Sequence, residues 1–217
     1  MKRKLCVLMF VAICLCLTAQ AAIGEDLDSY KYQIGIRGGM SLADGEPAND
    51  LITYGIYGRY NLNDSWNIGL SVDNLTGDFE DPAFFIGVPT VKEKNDATMS
   101  NVVITMWGER EFTFSSETFQ RLRPYAALGL GVGIVNVDDV ADPDVPYVIK
   151  TDGGTEFVPA FALGLRYLFS KNWETELSAV YSYHVADWQV TDIESGTTGS
   201  LGNYSTVGFY LGLGYRF

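Results

Sequence analysis

The side chains best suited to catalysis lie near the carboxyl-terminal end of the chain. His184 is the only histidine in the sequence, and Ser182 precedes it by two positions. A hydroxyl group and a base that takes its proton are the two groups that nucleophilic catalysis requires. Glu174 and Glu176 belong to the same segment but lie at its opposite end, too far away to orient the imidazole. We therefore expect His184 to be a structural polar residue and the protein not to be an enzyme.

Acidic side chains are concentrated just after residue 137. Asp138, Asp139, Asp142 and Asp144 offer the oxygen ligands that Ca²⁺ and Mg²⁺ prefer. Their spacing matches no calcium-loop motif, which favours a solvated, self-repelling surface over a specific metal site. We expect no bound metal and no cofactor, and we keep an extracellular divalent-cation cluster at these aspartates as the alternative.

The first 21 residues have the three parts of a secretory signal peptide. A basic stretch at 2–4 precedes an apolar stretch at 5–17 and a small-x-small sequence at 19–21. The apolar stretch is shorter than the roughly 20 residues that a membrane-spanning helix needs. The predicted division is a cleaved signal peptide at 1–21, a periplasmic amino-terminal segment at 22–29 and one domain at 30–217.

Removal of this leader changes what the mature protein can bind. All three cysteines lie within it, so we expect the mature chain to have neither disulfides nor thiolate metal ligands. Three of the fifteen basic residues also leave, and twelve basic against twenty-seven acidic residues give a net charge of −15. Because nucleic acids are polyanions, they are not expected partners.

Residues 204–217 alternate with a period of two, which predicts a β-strand. Val207, Phe209 and Leu211 share one face, whereas Thr206 and Gly208 belong to the other. A face of glycine and polar residues suits a narrow, hydrated interior, and the apolar face then meets lipid. This inverted pattern is typical of a transmembrane β-barrel.

Seven further segments have alternating or apolar-rich character, which makes eight predicted strands. Each has roughly 11 to 15 residues, enough for a tilted strand that crosses the hydrocarbon region. The connections alternate between short turns and longer stretches rich in Asp, Gly, Pro and Thr. We predict an all-β fold: an eight-stranded antiparallel up-and-down transmembrane barrel with short periplasmic turns and long acidic extracellular loops. The predicted strands lie at 31–42, 51–61, 66–77, 99–112, 123–137, 156–169, 173–186 and 203–217.

Strand parity also predicts which charged side chains point into the barrel. An eight-stranded barrel has an interior just wide enough for side chains to fill, so opposite charges there should pair. We predict a salt-bridge network that closes the lumen, with a narrow path for small ions or solutes as the alternative. Its predicted members are Arg37, Arg59, Glu109, Glu111, Arg166, Glu174, Glu176 and Arg216. Arg110 has the opposite parity, and we expect it at the periplasmic interface, where a long side chain reaches water.

A secreted, lipocalin-like barrel is the main soluble alternative, because it also has eight strands with alternating faces. Such a barrel buries its apolar face around a ligand and exposes its charged residues to water. The glycine-rich faces and the aromatic residues near the predicted strand ends favour the membrane barrel.

The carboxyl terminus resembles the last strand of bacterial outer-membrane barrels, with Tyr215 and Phe217 at alternate positions and Phe as the final residue. In those proteins this pattern is the signal that the barrel-assembly machinery recognises. From about residue 30 onward the chain resembles the small outer-membrane barrel superfamily, the OmpA-barrel, OmpX and OmpW-like group. The resemblance implies a location in the bacterial outer membrane, with its lipid, lipopolysaccharide and the assembly machinery as partners.

This resemblance leaves three classes of function. The first is a non-enzymatic scaffold that serves envelope integrity, adhesion, or contact with a host, phage or other cell-surface ligand through its loops. The second is a channel or transporter of small or hydrophobic solutes, as in OmpW-like proteins. The third is lipid A modification, since such deacylases and acyltransferases are eight-stranded barrels that use His and Ser. The deacylases carry a lipid-facing His-x-Ser sequence, whereas the order here is Ser182-Tyr183-His184. We expect the first class.

Overall fold

Twelve β-strands make up the regular structure of the computed structural model, which describes residues 30–44, 50–79, 97–114, 119–137, 140–141, 148–186, 188–192, 196 and 198–217. The strands are β1 (Tyr32–Asp44), β2 (Leu51–Asn63), β3 (Trp66–Phe79), β4 (Ala97–Glu111), β5 (Leu122–Val137), β6 (Val140–Ala141), β7 (Val148–Asp152), β8 (Thr155–Leu168), β9 (Trp173–His184), β10 (Trp188–Asp192), β11 (Thr198–Leu201) and β12 (Tyr204–Arg216). Within the described residues, no helix has the length and apolarity that a membrane crossing requires.

Eight of the strands close into an antiparallel barrel in the order β1-β12-β9-β8-β5-β4-β3-β2. The first and last strands pair along their length, from Gln33 opposite Arg216 to Asp44 opposite Ser205. Closure leaves no barrel strand with an unpaired edge, which is the condition for spanning hydrocarbon with strands. The predicted eight-stranded barrel is confirmed. We call the end with the connections 64–65, 112–121 and 169–172 the periplasmic end, and the opposite one the outer end.

The faces of the strands have the inverted polarity that the sequence predicts. Leu128 is 70% exposed on the outer wall, whereas Arg166 is 1% exposed inside. In β12, residues at odd positions from Val207 to Tyr215 are exposed and the residues between them are buried. A soluble barrel would show the opposite arrangement, so the lipocalin-like alternative is excluded.

Three aromatic rings, packed among small aliphatic side chains, fill the middle of the lumen. The central layer, as we call it, consists of Trp107, Tyr125, Ala127, Ala160, Ala162, Val180 and Tyr210. Glycine makes room for its rings, because a Cβ atom at Gly129 would lie 2.7 Å from ring atoms of Trp107. Gly164 accommodates the Tyr125 ring in the same way. The inward glycines of β5 and β8 are therefore packing positions.

Aromatic side chains surround the periplasmic end. The ring centroids of Trp173 and Tyr215 are 5.1 Å apart, and those of Tyr32 and Phe217 are 5.8 Å apart. Phe217 also exchanges backbone hydrogen bonds with Tyr32, at 2.9 and 3.0 Å. Such a girdle is the usual interface between a barrel and the lipid headgroups. Tyr215 and Phe217 thus lie on the outer wall, and their role as an assembly signal remains a prediction.

Two of the outer connections contain strands that the sequence analysis did not predict. β6 and β7 lie between β5 and β8, β10 and β11 lie between β9 and β12, and they form one sheet in the order β11-β10-β7-β6. The pairing of β7 with β10 joins the two connections, with Thr151 opposite Val190. The sequence analysis treated 138–155 and 187–202 as long connections, and the structure adds these short strands to them. Strands of two to five residues are too short to show a reliable alternation.

Candidate functional site: the closed lumen

Arg166 is the centre of a buried group of charges at the periplasmic end. It lies on β8, and its guanidinium nitrogens are 2.5 Å from a carboxylate oxygen of Glu109 and 2.7 Å from one of Glu111. Its Nε lies 3.2 Å from Glu176 and 3.6 Å from Glu174, on the adjacent strand β9. One cation from β8 therefore links β4 on one side to β9 on the other.

Arg59, on β2, completes the connection across the lumen. Its Nε is 3.2 Å from Glu109 and its Nη1 is 3.7 Å from Glu174, and it also donates to Glu176. The Tyr125 hydroxyl donates to the other oxygen of Glu176 at 2.8 Å. The Tyr57 ring lies beneath the Arg59 guanidinium at 4.2 Å, a cation–π contact.

Arg216 and Arg123 add two further cations at the rim of this group. Arg216 lies 3.8 Å from Glu174, and Arg123 lies 3.9 Å from Glu111. Tyr30 covers Arg216 from below, with its ring centroid 3.0 Å from the guanidinium carbon. Burial raises the pKa of the Tyr30 phenol above its usual value.

These residues make a charge-balanced group across the lumen, which we call the ionic layer. Its four cations and four anions are Arg59, Arg123, Arg166 and Arg216, and Glu109, Glu111, Glu174 and Glu176. Seven of the eight predicted lumen charges lie in it. The sequence analysis missed Arg123, although the inward parity of Tyr125 two positions later was a usable signal.

Arg37, the eighth predicted member, lies apart from the ionic layer. It pairs with Asp73 on β3, with Nε 2.7 Å from one carboxylate oxygen and Nη2 2.5 Å from the other. Ser71 accepts a hydrogen bond from the same guanidinium at 3.1 Å, and the Tyr210 ring centroid is 5.0 Å away. This bidentate pair neutralises itself beside the central layer.

A small cavity separates Arg37 from the ionic layer. Its volume is about 20 Å³, and its lining includes Arg37, Tyr57, Arg59, Trp107 and Glu109. A polar cavity needs roughly 10–15 Å³ to hold one water molecule. The space is therefore large enough for one water molecule.

A second polar group, the outer cluster, lies inside the outer end and consists of Asn101, Glu156, His184, Tyr204 and Thr206. One carboxylate oxygen of Glu156 lies 2.8 Å from His184 Nδ1 and accepts from Asn101 at 2.8 Å and from Tyr204 at 3.3 Å. The rings of His184 and Tyr204 are stacked at 4.2 Å. Asn101 also donates to the Tyr204 hydroxyl at 3.2 Å, a contact between β4 and β12 on opposite sides of the barrel.

Glu156 and His184 are the charged partners of the outer cluster. Glu156 is buried at the second position of β8 and pairs with His184. His184 Nε2 lies 3.4 Å from the Thr206 hydroxyl, so a carboxylate, an imidazole and a hydroxyl follow one another. Thr206 is 3% exposed, so its hydroxyl is buried inside the barrel.

The candidate divalent-cation cluster lies outside the residues that the structure describes, since Asp138, Asp139, Asp142 and Asp144 are among those not covered. In the described part of the chain, no group of three or more His, Cys, Asp or Glu side chains has the arrangement of a metal site.

The sequence matches a family model described as an outer membrane protein beta-barrel domain over residues 8–217. The chain belongs to this family. It is therefore a bacterial outer-membrane protein, as predicted, and the turns at its periplasmic end face the periplasm. A comparison with curated proteins found no match.

Solved structures with the same fold are small outer-membrane barrels. OprG from Pseudomonas aeruginosa is 14% identical with a TM-score of 0.59, and the match covers 89% of this chain and 99% of OprG. Neisserial surface protein A is 13% identical with a TM-score of 0.53, over 86% and 97% of the two chains. Ail, the attachment invasion locus protein of Yersinia pestis, is 15% identical with a TM-score of 0.51, over 87% and 99%. At these identities the likeness concerns the fold alone.

Proposed function

We propose that this outer-membrane barrel is a closed, non-enzymatic scaffold whose activity lies in the surface at its outer end. The observation that carries the proposal is the filled lumen. The ionic layer, the central layer and the outer cluster follow one another from the periplasmic end to the outer end. A solute that crossed the barrel would have to separate all three.

The ionic layer is difficult to open because its members share partners. Removing one charge from a buried pair leaves the other uncompensated, at a cost of about 3–5 kcal/mol. Glu174 and Glu176 each lie within ion-pair distance of both Arg59 and Arg166. A transient opening would therefore disturb several pairs at once, which favours a plug over a gate.

The sheet at the outer end supports an interaction role. Because β7 pairs with β10, two long connections form one preordered surface. Preordering lowers the conformational entropy that a surface loses when it binds a partner. The acidic composition of the outer connections favours a partner with a basic surface, such as a host or cell-surface protein. Lipid, lipopolysaccharide and, during biogenesis, the barrel-assembly machinery are the further partners that we propose.

Conductance in planar lipid bilayers tests the closed lumen. We expect refolded protein to insert without reproducible conductance steps. Insertion is checked independently by the migration shift of the folded barrel on unheated gels, so that silence is not mistaken for failed folding. Reproducible conductance of the unmodified protein would support the narrow channel or solute transporter instead.

Binding to cells tests the surface role. A variant with residues 187–203 replaced by a tight turn keeps all eight barrel strands, so we expect normal insertion together with loss of binding to host cells or matrix. Equal binding by this variant and the unmodified protein would contradict the assignment of activity to this surface.

A further inference from the structure

Arg110 is a charged residue on the lipid-facing wall, and aromatic rings surround it. It is the penultimate residue of β4, at the periplasmic end, and lies opposite Trp66 in the sheet. Phe112 and Phe114 continue its lipid-facing row beyond the end of the strand, and the Phe119 ring lies 6.0 Å from that of Phe114. We call these five residues the arginine–aromatic patch.

The guanidinium of Arg110 has aromatic neighbours in place of a carboxylate. Its carbon lies 5.7 Å from the Trp66 ring centroid and 5.5 Å from the Phe112 ring centroid, both within cation–π range. Among the described residues it forms no ion pair. Arg59 and Arg166, by contrast, each lie within ion-pair distance of three or more carboxylate groups.

Three exposed phenylalanines independently place this region at the membrane interface. Phe112, Phe114 and Phe119 are each about half exposed and belong to a periplasmic connection, where turn residues are normally polar. Exposed rings in this connection are stabilised if they enter the membrane interface. The described parts of this connection, 112–114 and 119–121, therefore lie against the lipid headgroups, which brings Arg110 to the level of their phosphates.

A guanidinium at that level selects for phosphate. It is planar, remains charged, and donates two parallel hydrogen bonds to a phosphate group. The flanking rings exclude water from one side, which strengthens the attraction to an anion. The remaining lipid-facing residues of β4 are uncharged, so no acidic side chain of that strand competes for Arg110.

We propose that the arginine–aromatic patch binds the headgroup phosphate of an anionic phospholipid in the periplasmic leaflet. Arg110 donates to the phosphate oxygens, while Trp66 and the phenylalanine rings contact the glycerol and upper acyl chains. The site does not depend on the function proposed for the outer end.

Native mass spectrometry of protein refolded in phosphatidylcholine containing phosphatidylglycerol tests this site. Phosphatidylcholine has the same phosphate but neutralises it with its own ammonium group, so we expect the unmodified protein to retain phosphatidylglycerol preferentially. Arg110→Gln should reduce that preference by about fivefold, the upper range for a charge pair at an interface with water, because the net charge of the lipid then has no guanidinium opposite it. Arg110→Lys keeps the charge without the bidentate geometry and should give an intermediate result. Lys171→Gln removes an exposed charge from another periplasmic turn and is the matched control.

Each variant is first checked for the migration shift of a folded barrel on unheated gels. If Arg110→Gln or Arg110→Lys fails to fold, Phe114→Ala/Phe119→Ala is measured in its place and should also lower lipid retention. Equal retention by Arg110→Gln and the unmodified protein, an equal loss with Lys171→Gln, or a protein partner cross-linked at position 110 would each overturn the proposal.

Discussion

Arg166 shows how one side chain determines whether the barrel interior is stable. It is 1% exposed and lies within ion-pair distance of four glutamates. A buried cation loses its hydration, so only its partners compensate for burial, and the same holds for each glutamate. Arg166 and the glutamates compensate one another's burial. Removing Arg166 therefore lowers the stability of the folded barrel mainly because it leaves buried glutamates unpaired.

Replacing Arg166 with Met should therefore destabilise the folded barrel by about 3–5 kcal/mol. Urea titration in phospholipid vesicles, followed by tryptophan fluorescence, measures the change in the free energy of unfolding. Adding Glu176→Gln to Arg166→Met removes one uncompensated charge and should restore part of the loss. Lys171→Met, on an exposed turn, is the control with no expected effect, and a loss for Arg166→Met no larger than the control's would contradict the role of the ionic layer.

At the scale of elements, the outer sheet combines parts of two connections that are far apart in the sequence. β10 is a central strand with β7 on one side and β11 on the other. Val190 is therefore paired on both sides, with Thr151 of β7 and Gly199 of β11. Each connection alone contributes only a two-stranded ribbon, which is marginally stable in water. The pairing across connections is what gives this surface a defined shape.

Val190→Pro should loosen this sheet while leaving the barrel intact, because proline removes one ladder donor from a central strand. We expect faster proteolysis within residues 138–154 and 187–203, with unchanged migration of the folded barrel on unheated gels. Val190→Thr keeps the backbone N–H group and should be cleaved at the original rate. If both variants are cleaved equally, the β7–β10 pairing does not hold the connections together.

At the scale of the whole molecule, lipid contact depends on depth along the barrel wall. Leu128 lies near the middle of β5 and is exposed on the wall, whereas Leu62 is exposed near the periplasmic end of β2. A charge placed at the centre of the hydrocarbon costs far more than one near an interface, where the side chain reaches water. Arg110 occurs where this cost is low.

Leu128→Arg should therefore destabilise the barrel by about 2–4 kcal/mol, and Leu62→Arg by no more than about 1 kcal/mol. Urea titration in phospholipid vesicles compares the two variants directly. Similar free energies of unfolding would mean that the wall around Leu128 does not lie in hydrocarbon.

The sequence was sufficient to predict the barrel, because lipid outside and packed polar groups inside impose a period of two on every crossing strand. The predicted start of β3 and end of β5 agree with the structure to the residue. The contacts inside were harder to predict. Parity tells whether a side chain points into the lumen or toward lipid, but the partner across the lumen also depends on the register stagger between the strands. Arg37 and Glu156 are examples: one lies apart from the other charges, and the other pairs with the single histidine.

The pairing of β1 with β12 also has a kinetic consequence. It joins the two ends of the domain, so this ladder has the largest sequence separation of any strand pairing in the barrel, and we expect it to form late. A chain emerging from the ribosome cannot complete this ring before its last strand has been synthesised. Until this ladder forms, an unfinished barrel has two unpaired strand edges, which are prone to aggregation.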